Sequence, residues 1–166
     1  MADKQVKYDI DGYDAITSAL RVLINQYPGL DEGEEIMFSV LGENSGKAMF
    51  PISGAVIETQ KQSVTGKVEE VCIYPFYVIY RASGLSENNK AKVKEWLDNL
   101  GKWLEQKRII VNGNEYILEE LPPLTEGRRF LDISRQTPAY LDGTNENQSE
   151  DWAVYISARY QYNYTK

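Results

Sequence analysis

The sequence predicts an α+β domain: a mainly antiparallel β-sheet with two amphipathic helices packed on one of its faces. Two segments place apolar residues at helical spacing, several others have the alternation or the composition of strands, and turn residues join the strands as hairpins. The chain has 166 residues, 42% of them hydrophobic. Residues 1–166 are therefore expected to form a single domain that needs neither disulfides nor metal to fold.

The first helix is predicted from Tyr13 to Tyr27, where apolar residues recur at steps of three and four before Pro28-Gly29. Asp11 or Asp14 is the expected N-cap, because a short side-chain oxygen can accept hydrogen bonds from the unpaired amides of the first turn. The extreme N-terminus, which precedes this helix, is expected to be flexible.

Two strand segments follow the first helix. The run from Ile36 to Leu41 is rich in strand formers and predicts a first strand. The region from Ala48 to Gln60 is predicted to be extended, and Pro51 and Gly54 mark a bend, an edge or a bulge within it.

The segment from Val68 to Ala82 is the strongest apolar stretch of the chain. Thr65-Gly66 predicts a hairpin that leads into it. Since both faces of this strand are apolar, it is predicted to lie in the middle of the sheet with both sides covered. Pro75 must then lie where the sheet needs no backbone donor.

A second helix is predicted from Glu87 to Lys107, with Ser86 as its N-cap. Its apolar stripe includes Trp96 and Trp103, and both tryptophans are interpreted as core residues. After this helix, Asn112-Gly113 predicts a tight β-hairpin.

The C-terminal part predicts two further strands. Arg128 to Ser134 is expected to be extended, and the polar stretch from Asp142 to Asp151 is expected to be a mobile loop. The final segment alternates strictly, with Trp152, Tyr160 and every second residue between them on one face. This pattern predicts a long strand with one buried face and one wetter face.

Composition excludes several classes of function. The chain has no His, and its one cysteine, Cys72, is interpreted as a small buried hydrophobe. A net charge of −7 argues against broad binding to a phosphate backbone, so no specific nucleic-acid partner is expected. No apolar run approaches the roughly 20 residues of a membrane span, and the first residues lack the apolar region of a signal peptide. Cytoplasmic location without a membrane partner is expected.

Patterns that could carry catalysis are incomplete. Glu69-Glu70 falls in a predicted strand, where neighbours point to opposite faces, and is interpreted as solvated charge. The acidic stretch after Asp142 lacks the residue order of a calcium loop, and Gly42 to Lys47 lacks the spacing of a phosphate loop. The protein is therefore predicted not to be an enzyme, with no catalytic or metal-binding residue and no cofactor.

The surplus of tyrosine suggests an interface, because tyrosine combines a large apolar body with a polar tip. The chain has 12 Tyr, and several are concentrated in the final strand. Tyr155, Tyr162 and Tyr164 are candidate interface residues, although packing in the core or on the sheet is the alternative. Arg128 and Arg129 are further candidates, with a solvated strand face as the alternative.

The order of elements and several segments resemble the small tail-terminator or minor capsid proteins of long-tailed (siphovirus-like) bacteriophages and prophages of Gram-positive bacteria. The resemblance spans most of the chain. The segments that carry it, besides the helix with the two tryptophans, are Tyr13–Leu20, Ile73–Tyr80, Pro138–Gly143 and Trp152–Ala158.

This resemblance implies a virion structural protein that forms a ring, commonly a hexamer, and caps the tail tube at the head-tail joint. The implied partners are further copies of the chain, the tail-tube protein and the head-completion or connector protein. The implied location is the host cytoplasm during assembly and the tail-head junction of the virion. The alternatives are another virion component, such as a tail-tube or head-completion protein, and an enzyme that uses carboxylates or calcium.

Overall fold

The computed structural model describes residues 5–166, which form two α-helices and nine β-strands. The helices are α1 (Gly12–Ile24) and α2 (Glu87–Leu104). The strands are β1 (Met37–Phe38), β2 (Gly46–Pro51), β3 (Val56–Gln62), β4 (Lys67–Ala82), β5 (Ile109–Val111), β6 (Asn114–Tyr116), β7 (Arg128–Arg135), β8 (Tyr140–Thr144) and β9 (Glu150–Thr165). The predicted α+β class is confirmed. The predicted flexibility of the extreme N-terminus falls on residues 1–4, outside the described residues.

Two long antiparallel strands form the centre of the main sheet. β4 and β9 each have 16 residues and pair along their whole length, from Lys67 opposite Thr165 to Ala82 opposite Glu150. Two shorter strands, β2 and β3, share the outer edge of β4, while β7 and β8 share the outer edge of β9. The central position predicted for β4 is confirmed, as is the hairpin before it, in which Gly66 has a φ of 86°.

Pro75 lies in the gap between β2 and β3. Its carbonyl accepts a hydrogen bond of 3.2 Å from the amide of Ile52, in the segment that joins these two strands. Because the N–H and C=O of a strand residue point to the same side, the donor that proline lacks would also have faced this gap. The prediction that Pro75 lies where no ladder donor is needed is confirmed.

The hydrophobic core lies between the helices and one face of the sheet, which we call the covered face. It is formed by even-numbered residues of β4 and β9, including Tyr74, Phe76 and Ile156, which are all fully buried. Apolar residues of α1 and α2 pack on them, and the Thr17 hydroxyl lies 2.8 Å from the Tyr74 hydroxyl. Both helices therefore stabilise the same side of the sheet, as predicted.

The helix ends agree in part with prediction. The Ser86 hydroxyl caps α2 by accepting a hydrogen bond from the Asn89 amide at 3.2 Å. Asp11 stands at the N-cap of α1 without a side-chain bond, and Asp9 replaces it by accepting a bond of 3.1 Å from the Gly12 amide. The N-cap position predicted for Asp11 is confirmed, but its predicted hydrogen bond is wrong, because the chain before Gly12 turns so that the carboxylate of Asp9 reaches the first amide. The alternative cap, Asp14, is wrong, since it lies within the first turn of the helix.

The prediction that both faces of β4 are covered is wrong. Its odd-numbered residues Ile73, Tyr77 and Ile79 are only half-buried, because both helices lie on the opposite side. The first strand is also shorter than predicted, since only Met37 and Phe38 pair, in parallel with β2.

The predicted loop from Asp142 to Asp151 is mostly strand and tight turn. β8 reaches Thr144 and β9 begins at Glu150, so the connection is a hairpin. The Ser149 hydroxyl, which is fully buried, donates to Asn147 at 2.6 Å and accepts from Asn145 at 3.0 Å. These polar side chains form hydrogen bonds with one another within the turn. Tight turns and loops are rich in the same polar residues, which is why the segment was predicted to be a loop. Mobility of the turn stays a prediction.

The predicted Asn112-Gly113 hairpin is confirmed, with φ angles of 52° and 80° at these residues. Its strands, β5 and β6, form a separate two-stranded sheet. Ile109 inserts into the core and is 3% exposed, whereas the next residue, Ile110, is 62% exposed.

Candidate interaction surface

The face of the sheet opposite the helices has a group of large apolar side chains. We call it the open face and define it by six half-buried residues: Phe50, Ile73, Tyr77, Ile79, Tyr140 and Tyr155. They come from β2, β4, β8 and β9. A group of large apolar side chains that the helices leave only half-buried is a candidate interaction site.

Strand register brings these residues together in rows. Phe50, Tyr77 and Tyr155 lie opposite one another across three adjacent strands. The rings of Tyr77 and Tyr155 have centroids 5.1 Å apart. Directly opposed residues of antiparallel strands point to the same side of a sheet. The aromatic row therefore lies on the open face, where neither helix packs on it.

Ion pairs lie on both sides of the aromatic row, further along the strands in each direction. At one end, Arg81 Nε donates to Asp151 Oδ1 at 2.7 Å, and at the other, Arg159 Nε donates to Asp132 Oδ1 at 3.1 Å. The hydrogen bond from Arg81 lowers the pKa of Asp151. Each rim thus presents both signs of charge around an apolar centre, which is the usual anatomy of a protein interface.

The hydroxyl of Tyr140 stays neutral in this setting. Burial raises its pKa, and the nearby groups of Tyr77 and Asp142 raise it further. The Tyr140 hydroxyl can therefore both donate and accept hydrogen bonds.

Two polar loops meet at the end of the sheet beside the Arg81 and Asp151 pair. The side-chain amide of Asn147 donates to the Glu43 carbonyl at 2.9 Å and to Asn44 Oδ1 at 2.8 Å. Arg81 also donates to the Gly42 carbonyl at 3.1 Å. Loops far apart in the sequence therefore form one continuous tip.

The five sequence-predicted interface residues do not form one patch. Tyr155 lies on the open face. Tyr162 and Tyr164 lie on the side of the helices, near the other end of β9, where their rings pack together with centroids 4.7 Å apart. The Tyr164 hydroxyl donates to Glu70 at 2.8 Å. These two tyrosines are half-buried by contacts within the chain.

Arg128 is buried, which corrects its assignment as a surface residue. Its guanidinium forms two hydrogen bonds with the carboxylate of Asp9, at 2.9 and 2.8 Å, and lies over the ring of Tyr162 at 3.8 Å. The Tyr160 hydroxyl donates to the same carboxylate at 2.7 Å. These contacts join the segment before α1 to β7 and β9.

This buried pair stays ionised. Burial opposes the charge of Asp9, but the hydrogen bonds from Arg128 and Tyr160 outweigh it and lower the pKa of Asp9 below its ordinary value. The hydrogen bond with Asp9 in turn raises the pKa of Arg128. The cluster is a structural anchor whose donors are already used within the chain.

The two other arginines on β7, Arg129 and Arg135, lie apart from Arg128. Arg129 is exposed and donates to Gln161 at 2.9 Å. Arg135 binds Glu105, with its Nε donating at 3.1 Å. Arg128, Arg129 and Arg135 therefore do not make a continuous basic surface.

The acidic residues also differ from prediction in one case. Glu70 is only 4% exposed, since Gln60 and Tyr164 donate to its carboxylate, so its interpretation as solvated charge is wrong. Within residues 5–166, no group of three or more acidic or cysteine residues is placed to hold a metal ion. Burial raises the pKa of Cys72 to about 12. Neither helix in this part of the chain is long and apolar enough to cross a membrane.

Five of the six residues of the open face were missed: Phe50, Ile73, Tyr77, Ile79 and Tyr140. The sequence did contain a pattern that could have found Tyr77, because β4 is apolar on both faces. That pattern was interpreted as burial on both sides. Phe50 and Tyr140 depend on register between strands distant in the sequence, which alternation alone does not give.

No protein-family model matches this chain, and no curated protein matches it either.

Proposed function

We propose that this protein is a virion structural subunit of a long-tailed bacteriophage: a tail terminator that forms a ring at the end of the tail tube. The open face is the observation that supports this most. It presents an aromatic row, Phe50, Tyr77 and Tyr155, where a protein that works alone would gain solubility from polar residues.

The chemistry of the open face suits contact between folded proteins. Tyrosine and phenylalanine are enriched at interfaces, because each buries a large rigid area with few rotatable bonds. Tyr77 and Tyr155 are already held against each other, so little side-chain entropy remains to be lost on binding. Preorganised aromatic surfaces of this kind favour specific assembly.

A closed ring explains how such a subunit would stop a filament. One heterologous contact, repeated until it meets its own start, uses every copy of the contact and leaves none to extend the tube. In this proposal the ring, a hexamer, contacts the tail-tube protein on one side and the head-completion or connector protein on the other. The tip formed around Asn147 is the proposed polar contact with one of these partners.

The test is deletion of the gene from its phage, followed by electron microscopy of the lysate. We expect filled heads without tails, together with free tails of uncontrolled length, because nothing would end tube growth or join the tube to the head. Normal joined particles would contradict the proposal. Complete absence of tail tubes would also contradict it and would favour a tail-tube or initiator subunit.

Complementation by variants connects this test to the open face. Tyr155→Asp should fail to restore joined particles, because it places a charge in the aromatic row. Val22→Asp is the matched control, since Val22 lies on α1 and is 61% exposed, away from the open face. We expect this control to restore normal tails. Both variants must first be shown to be folded.

A further inference from the structure

A groove lined by apolar side chains lies at the start of α1. Its volume is about 460 Å³, which is within the usual range of binding pockets. Three large apolar residues of its lining are exposed: Ile10 is 81% exposed, Ile52 is 47% exposed and Tyr8 is 45% exposed. Tyr13 and Pro51 complete the apolar lining. The segment before α1 and the turn between β2 and β3 therefore enclose an apolar site.

This groove is distinct from the open face. Pro51, which lines the groove, stands opposite Phe76 of β4, and Phe76 is buried on the covered face. Directly opposed residues of antiparallel strands point to the same side of a sheet. The groove therefore lies on the side of the helices, away from the aromatic row.

Both tyrosine rings of the groove are held in place by contacts within the chain. The Tyr8 ring packs on Gly54, where a Cβ atom would lie 3.2 Å from the Cδ1 atom of the ring. The Tyr13 ring packs against Tyr74, with ring centroids 5.6 Å apart. Because the rings are already ordered, little side-chain entropy remains to be lost when a partner binds to them.

The charge beside the groove is negative. Asp9, which lines the groove, is neutralised by its pair with Arg128. Asp11 and Asp14, at the start of α1, are both exposed. The residues that line the groove, all within the described part of the chain, include no lysine or arginine. Charge complementarity therefore favours a partner with positive charge.

We propose that this groove binds a proline-rich segment of a partner protein, with a basic residue next to the prolines. A polyproline II helix is already ordered before it binds, and grooves lined by aromatic residues recognise it. Its proline rings would pack on Tyr8 and Tyr13. The tyrosine hydroxyls can donate to the carbonyls that this helix leaves unpaired. The basic residue would pair with Asp11 or Asp14.

The proline-rich stretch of the chain itself does not fit this groove. Pro122-Pro123 follows closely after Glu119-Glu120, and both glutamates are exposed. In a contact between two copies, their carboxylates would meet those of Asp11 and Asp14. Like charges that meet in an interface oppose binding, so the occupant is a different protein.

Isothermal titration calorimetry with three synthetic peptides tests the chemistry of the partner. The first peptide has the repeat Pro-Pro-Leu with an arginine at each end, and the second has glutamate in place of both arginines. The third is an amphipathic helix of leucine and lysine. We expect the arginine peptide to bind, and the glutamate peptide to bind at least about tenfold more weakly, because Asp11 and Asp14 repel it.

Variants of the full chain locate the binding site. Tyr8→Ala should weaken binding of the arginine peptide about tenfold, because it removes a ring on which the prolines pack. Ile10→Ser should also weaken it, and at an 81% exposed position this change leaves the fold intact. Tyr116→Ala is the matched control, since Tyr116 is 38% exposed and does not line the groove. It should leave binding unchanged.

Three results would overturn the inference. The first is no binding of the arginine peptide at concentrations up to about 1 mM. The second is equal binding of the arginine and glutamate peptides, or equal effects of Ile10→Ser and Tyr116→Ala. The third is tighter binding of the leucine-lysine helix, which would favour a helical partner. The inference does not depend on the tail-terminator role, so the gene deletion and the titrations can fail separately.

Discussion

The two faces of β4 both contain large apolar residues, and they have opposite fates in the fold. On the covered face, Tyr74 and Phe76 are fully buried under the helices. On the open face, the neighbouring residues Tyr77 and Tyr155 remain half-exposed. The difference teaches that apolar alternation identifies the faces of a strand without telling which of them the rest of the chain covers.

The cause is the number and placement of the helices. A helix with its side chains is about 10 Å wide, so α1 and α2 together can cover one face of this sheet and not both. Both have their apolar stripes against the same face, with buried residues such as Leu20 and Leu97. The described part of the chain leaves the open face without a helix, which is why we propose assembly as the role of this face and assign folding to the other.

Adjacent substitutions on β9 test this division most strongly. Ile156→Asp should destabilise the fold by about 4 kcal/mol or more, because it buries an unpaired carboxylate under the helices. Leu100→Asp, on the buried stripe of α2, should have a similar effect. Tyr155→Asp should lower the free energy of unfolding by only about 1–2 kcal/mol, through lost packing with Tyr77. Urea denaturation measures all three.

Similar losses at Ile156 and Tyr155 would contradict the division, because they would mean that the open face is part of the core. Small losses at both Ile156 and Leu100 would contradict the placement of the core itself.

The Asp9 and Arg128 pair should show the next largest effect. Asp9→Asn removes the buried counter-charge and leaves the guanidinium only the carboxylate of Glu126, which is 3.2 Å away and 70% exposed. Breaking a buried pair in this way costs about 3–5 kcal/mol. Arg129→Gln is the matched control, since Arg129 is exposed and should lose less than about 1 kcal/mol. Thermal and urea unfolding at pH 7 measure both. If Asp9→Asn and Arg129→Gln lowered the free energy of unfolding equally, the Asp9 and Arg128 pair would not be a stabilising anchor.

Acidification should weaken the same anchor. The folded pKa of Asp9 is lowered, as are those of Asp151 and Glu105, so these carboxylates stabilise the fold above the unfolded values of about 4. That stabilisation is lost as pH falls through the folded pKa values. We expect the free energy of unfolding to drop below about pH 4, less steeply in Asp9→Asn. A pH dependence unchanged by the substitution would contradict the assignment.

The tip should contribute less than the core. Asn147→Ala removes its hydrogen bonds to Glu43 and Asn44, and a bond of this kind stabilises by about 1 kcal/mol. Hydrogen exchange should then speed up in residues 42–46 and 145–149 while the core stays protected. Faster exchange throughout the sheet would show that the tip is not an independent unit.

Calcium should have the smallest effect. The stretch after Asp142 lacks the order of a calcium loop, so neither calcium nor a chelator should move the melting temperature. A calcium-dependent rise that is abolished by replacing Asp142 and Glu146 with Ala would contradict this and favour the enzyme alternative.

The sequence predicted those features that depend on local pattern. The period of α2, the alternation of β9 and the Asn112-Gly113 turn each follow from a few neighbouring residues. The covering of β4, the cap from Asp9 and the burial of Arg128 depend on residues far apart in the chain. No local pattern shows that Arg128 meets a carboxylate 119 residues away.

The residues of the candidate surface were likewise predictable only where a local pattern identified them. Tyr155 was found because the final strand is rich in tyrosine, whereas Tyr162 and Tyr164 share that pattern and face the other side. The parity of positions along β9 separates Tyr155 from Tyr162 and Tyr164, but it does not tell whether the buried face is covered by the chain itself or by another protein. That information comes from the packing of α1 and α2.

The most direct test of the division between folding and assembly is hydroxyl-radical labelling of side chains, read by mass spectrometry. In the dilute soluble protein, Tyr77 and Tyr155 should be modified faster than Tyr160, which is fully buried. In the proposed rings bound to tail ends, their rates should fall to near that of Tyr160. Unchanged labelling of Tyr77 and Tyr155 in the assembled ring would contradict the assignment of the open face to assembly.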